Sequence, residues 1–120
     1  MYTYSFEKLE VWQLAKKLVV KIYGITSQFP AEEKFGLVSQ LRRAAVSICS
    51  NIAEGSGRNT SKDQAYFYGM AYSSLMEILN QLLISYDLNW ISETNLNTIR
   101  IDIEIISAKI NSLRKSTFIK

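Results

Sequence analysis

Gly36-Leu37-Val38-Ser39-Gln40-Leu41-Arg42-Arg43-Ala44-Ala45-Val46-Ser47-Ile48-Cys49-Ser50-Asn51-Ile52-Ala53-Glu54-Gly55 reads as one helix, and the rest of the chain is arranged around it. Leu37, Leu41, Ala44, Ile48 and Ile52 form an apolar row at helical spacing, with Val38, Ala45 and Cys49 beside it. Gln40, Arg43, Ser47, Asn51 and Glu54 recur at intervals of three and four, so they share one edge of the same helix. Gly55 and Gly57 are read as its stop signal.

Working outward, three more helices are expected. Before this stretch, Val11, Ala15, Leu18, Ile22 and Ile25 mark a packed face between about Phe6 and Gln28. Phe29-Pro30 ends that helix, because proline disfavours the helical conformation in the residue before it. After the stretch, Ser61-Lys62-Asp63-Gln64 fits a capping box. A core row of Phe67 or Tyr68, then Ala71, Leu75, Ile78, Leu82 and Tyr86, follows it. Trp90 lies in an apolar connection and is expected to plug one end. Ser92 is an N-cap candidate for a last helix in which Leu96, Ile99, Ile103, Ile106, Ile110 and Leu113 alternate at three and four. Strand alternation and hairpin turns are absent. The expectation is an all-α protein, an antiparallel up-down four-helix bundle in one domain over residues 1–120, with helices at about 6–28, 36–55, 62–87 and 93–115.

Composition narrows the function. The chain has 120 residues, 48% hydrophobic and 21% charged, enough for one core. No apolar run approaches the roughly 18 residues of a membrane span, and the start has no signal-peptide pattern, so a cytoplasmic protein without a membrane role is expected. Without histidine and with a single cysteine, there is no His-based triad or thiolate zinc site. Gly55-Ser56-Gly57 follows a helix and so fits neither a dinucleotide fingerprint nor a P-loop. No catalytic residue, metal or cofactor is expected, and the chain is read as a non-enzyme.

Three groups of residues remain as candidates. Arg42, Arg58, Lys62, Lys16 and Lys17 are basic positions suited to phosphate, in a chain of net charge +3. Otherwise they form a solvated face. Gln40, Arg43, Ser47, Asn51, Glu54 and Glu77 are expected to form a structural polar network at the seam of helices 2 and 3, with Arg43 pairing Glu77. Ile101, Ile105 and Ala108 fall within about 60° on the side of helix 4 opposite its core row. Tyr66, Met70 and Ile84 lie off the core face of helix 3. A helix apolar on two sides has two partners, so these residues are assigned to a homo-oligomer interface.

The motifs also carry a resemblance. Leu9-x-x-Trp12-x-x-Ala15, Phe29-Pro30-x-x-Glu33-x-x-Gly36-Leu37, Gln40-Leu41-Arg42-Arg43-Ala44-Ala45-x-Ser47-Ile48, Asn51-Ile52-Ala53-Glu54-Gly55 and Gly57-Arg58 together resemble the four-helix-bundle proteins of the 23S ribosomal RNA intervening-sequence family. One departure is Ser73, which stands where the family's helix 3 usually has glycine. The resemblance implies a bacterial cytoplasmic bundle. It also implies likeness to an accessory protein of diversity-generating retroelements, a homopentameric ring that binds nucleic acid and a reverse transcriptase. By that resemblance the expected partners are further copies of the chain, in a pentamer, with RNA or DNA. The alternative is a protein-interaction scaffold with no nucleic-acid role.

Overall fold

The computed structural model describes residues 1–119. Four helices dominate: α1 (Glu10–Thr26), α2 (Leu37–Ser56), α3 (Ser61–Asp87) and α4 (Glu93–Ser116). Each packs on its neighbour in sequence, and α4 closes the arrangement against α1, while the diagonal pairs make no close backbone approach. The result is an antiparallel up-down bundle of 47 × 29 × 20 Å, with no strand among the described residues. Short connections leave consecutive helices no choice but to run back along one another.

The helix ends differ in detail from the sequence reading. Helix 1 does not start at Phe6. Ser5–Lys8 forms a separate 3-10 turn, closed by Glu7 accepting from the Tyr4 backbone at 2.7 Å, and Leu9 is extended before α1 begins. Thr60, not Ser61, caps α3: its hydroxyl accepts from the Asp63 amide at 3.1 Å. Ser61 instead donates to the Thr117 carbonyl, tying the start of α3 to the end of α4. Gln64 donates to the Arg58 carbonyl across the turn. Ser92 does cap α4, accepting from Asn95. At the end of α3, Asn89 takes a positive φ of 63°, and the Trp90 amide reaches back to the Ser85 carbonyl at 2.9 Å, which closes the last turn in a Schellman-type arrangement.

The core rows bury as their spacing demands. Ala15, Leu18, Ile22, Leu41, Ile48, Ile52, Leu75, Ile78, Leu82, Ile99, Ile106 and Ile110 are almost wholly shielded. Tyr68, not Phe67, enters the α3 row, and Ser85 replaces Tyr86, which stays exposed. Trp90 packs its ring on Phe29 at 5.9 Å and closes the end of the bundle formed by the α1–α2 and α3–α4 connections.

Gly55 is not a stop signal. It lies buried inside α2, where a Cβ would come within 2.7 Å of the Tyr68 ring and 3.1 Å of the Phe67 Cβ. Its missing side chain lets α2 and α3 approach closely. Gly57 ends the helix. Ser73 is exposed on the outside of α3, so a side chain there obstructs no helix contact.

Candidate functional site

The five basic residues singled out by sequence do not share a surface. Arg42 is half-buried against the end of α1. Its Nε donates to Thr26 Oγ1 at 2.9 Å, a terminal nitrogen donates to the Tyr23 carbonyl at 3.3 Å, and the guanidinium lies 4.5 Å from the Tyr23 ring centre. A cation at a helix C-terminus satisfies a terminal carbonyl and opposes the macrodipole there, so Arg42 acts as a cap for α1. Lys16 lies over Trp12 at 5.0 Å and faces the α1–α2 seam near Cys49. Lys17 turns to the α1–α4 seam beside Lys21 and Asp102, which pair at 2.6 Å.

Arg58 and Lys62 do come together, at the α2–α3 turn. Arg58 pairs with Glu54 at 3.1 Å and lays its guanidinium 4.4 Å from the centre of the Phe67 ring. Lys62 is exposed on the first turn of α3. The antiparallel topology brings two further cations to this end, Arg114 and Lys115 in the last turn of α4. A Cβ on Gly69 would meet the Arg114 guanidinium at 3.4 Å, so this arginine lies along the α3 surface. Arg114 and Lys115 border a shallow depression with Asn111 and Phe118, and Phe118 and Tyr66 are each 61% exposed. Lys62, Arg114 and Lys115 take part in no ion pair among the described residues. The opposite end carries Glu32, Glu33, Asp87 and Glu93 against Lys34, Arg42, Arg43 and Arg100. The α2–α3 end also holds Glu7, Glu10, Glu54 and Asp63, with Glu10 and Glu54 paired to Lys109 and Arg58, so its cations outnumber its acids only modestly. Sequence reading missed Arg114 and Lys115 because α4 was judged by its apolar rows alone. The up-down order already placed its C-terminus beside the α2–α3 turn.

The polar edge of α2 does face α3, in two clusters. Ser47 and Ser74 hydroxyls lie 3.0 Å apart, and Asn51 donates to the Ser47 hydroxyl and carbonyl. One turn pair further along, the buried Gln81 donates to Gln40 at 3.1 Å and to Glu77 at 3.2 Å. Arg43 does not pair with Glu77. Both line an open groove of about 540 Å³ with Gln40, Ala44, Ser47 and Ser74, and Arg43 is exposed. Glu54 belongs to the Arg58 pair and not to this seam. Gln81, buried with its Oε1 unpartnered, was not foreseen. It occupies a core-facing helical position that a row of Leu and Ile masks.

Ile101, Ile105 and Ala108 are exposed on the outside of α4, and Tyr66, Met70 and Ile84 on the outside of α3. Among the described residues no cluster of three His, Cys, Asp or Glu could hold a metal. No helix there is long and apolar enough to cross a membrane.

Comparison with known proteins agrees with this architecture. The family model for the 23S rRNA-intervening sequence protein matches residues 7–112. A solved structure from Bacteroides thetaiotaomicron VPI-5482, described as a protein with unknown function from the S23 ribosomal protein family, superposes with a TM-score of 0.78. It is 20% identical and covers 88% of this chain and 98% of its own. No curated protein matches the chain.

Proposed function

The chain belongs to the 23S rRNA-intervening sequence protein family, and on that premise we propose that it is a non-enzymatic, self-associating bundle that binds the RNA or DNA backbone through its basic end. The observation that carries this reading is that Arg58, Lys62, Arg114 and Lys115 lie toward the same end of the bundle, with Phe118 beside Arg114 and Lys115 and Tyr66 exposed on the first turns of α3. Guanidinium and ammonium groups neutralise phosphates, and neighbouring rings offer faces on which bases stack, a pairing suited to single strands. Copies of the chain arranged side by side would repeat the patch, so weak contacts gain avidity.

Binding of a labelled single-stranded RNA tests the placement. Arg114→Ala/Lys115→Ala removes two exposed cations of the basic end, and Lys34→Ala/Arg42→Ala removes two from the other. The first variant is expected to lose about tenfold or more in affinity at low salt, and the second less than about twofold. Equal losses would overturn the assignment of the site. Undetectable binding by the unaltered protein would overturn the nucleic-acid reading and leave the protein-scaffold alternative.

A further inference from the structure

Several aromatic rings of this chain have their faces occupied from within. Arg58 lies over Phe67, Lys16 over Trp12 and Arg42 over Tyr23. Tyr2 and Tyr4 differ. They are 75% and 61% exposed, and among the described residues no cation lies over either ring. The two rings instead lie 4.8 Å apart at 80°, edge to face. A lone exposed ring is ordinary, but these two form a pair.

The pair is also held in place. The Tyr4 amide donates to the Glu7 carboxylate at 2.7 Å, and the Glu7 amide returns to the Tyr4 carbonyl at 3.1 Å. Gln13 donates to the Glu7 carbonyl at 2.8 Å, which ties the Ser5–Lys8 turn to α1. Phe6 sets its ring against Trp12 at 5.1 Å, and the turn packs against both α1 and α2. Holding two rings in solvent gains the fold no apolar burial.

Topology decides where the pair stands. Helix α1 begins at the end of the bundle where α2 and α4 finish and α3 begins. The tyrosines therefore lie toward the end that carries Arg58, Lys62, Arg114 and Lys115. Lys8 is exposed in the same turn and takes part in no ion pair among the described residues. The carboxylates of this stretch are engaged: Glu7 by the Tyr4 amide, and Glu10 by Lys109 at 2.6 Å. Little uncompensated negative charge is left beside the rings to repel a polyanion.

We propose that Tyr2 and Tyr4 form a base-stacking platform for single-stranded nucleic acid, whose phosphates the cations of this end neutralise. Every base has a π face, so such stacking tolerates sequence, whereas a duplex keeps those faces inside its own stack. A phenol suits a wet contact, being apolar on the ring and polar at the hydroxyl. This rests on the reading that this end binds the nucleic-acid backbone, and it adds what separates a single strand from a duplex.

The test is fluorescence anisotropy over a salt series, with labelled oligouridine RNA either single-stranded or paired to oligoadenosine. The unaltered chain is compared with Tyr2→Ala/Tyr4→Ala and Tyr2→Phe/Tyr4→Phe, and circular dichroism checks that helicity is retained. The alanine variant is expected to lose about tenfold in affinity for the single strand and less than about twofold for the duplex. Its salt slope matches that of the unaltered chain, because no phosphate contact is lost. Returning the rings as phenylalanine recovers the single-strand affinity. An alanine variant that binds the single strand as the unaltered chain does, or that loses equally on both RNAs, would overturn the platform and leave the phosphate reading standing. No recovery with phenylalanine, or a shallower slope in the alanine variant, would give the hydroxyls to phosphate and overturn stacking. Binding of neither RNA by the unaltered chain would overturn both readings.

Discussion

Arg42 and Arg43 are adjacent in sequence and have opposite fates, and the 100° turn between them is the reason. One is carried onto the α1 terminus, where it bonds Thr26 and Tyr23, and the other onto the open groove of α2 and α3. Arg42→Ala is expected to cost about 1 kcal/mol in urea unfolding, the net worth of a part-exposed charged hydrogen bond. Gly55→Ala is expected to cost about 1–3 kcal/mol, because the new Cβ would strike the Tyr68 ring and the Phe67 Cβ. Cys49 is half-shielded, and burial pushes its thiol up to about 11 from 9.0, with Lys16 opposing only in part. At pH 8 it should carry roughly hundredfold less thiolate than an ordinary cysteine, so alkylation in native protein should be slow and should accelerate on unfolding. Rapid native alkylation would contradict this burial. At this scale the sequence was least legible. Whether an arginine is a cap or a ligand depends on what the next helix presents to it, and neither the spacing in α2 nor its composition contains that.

The elements were legible because each has a strong apolar row, and a row of five or six apolar residues at helical spacing fixes which side of a helix faces the core. The α4 row, Leu96 through Ile110, is buried as its period requires. The ends were less legible, since Thr60 and Ser61 are both good caps and the choice is made by Thr117, far away in sequence. The turn after α3 offers a direct check. Asn89 sits in the left-handed region at φ 63°, which asparagine tolerates and a β-branched residue does not. Asn89→Val is expected to lower stability by about 1–2 kcal/mol, and Asn89→Gly to leave it equal or higher. If thermal unfolding ranks the two variants the other way, the turn does not set the entry to α4 as described.

Over the whole molecule, the up-down order does what no single helix does: it gathers charge. The α2–α3 turn and the C-terminus of α4 are remote in sequence and become one end, which carries Arg58, Lys62, Arg114 and Lys115 beside Glu54 and Asp63. Net charge alone, at +3, does not reveal that clustering. The central claim is that the basic end neutralises phosphates, and counterion release makes that claim measurable. The decisive measurement is the affinity of the unaltered protein for a single-stranded RNA as a function of salt, beside Arg114→Ala/Lys115→Ala. The account predicts a steep linear fall of log affinity with log salt, and a slope in the variant shallower by about 1.4, two lost phosphate contacts at about 0.7 each. A slope near zero, or one unchanged in the variant, would contradict it.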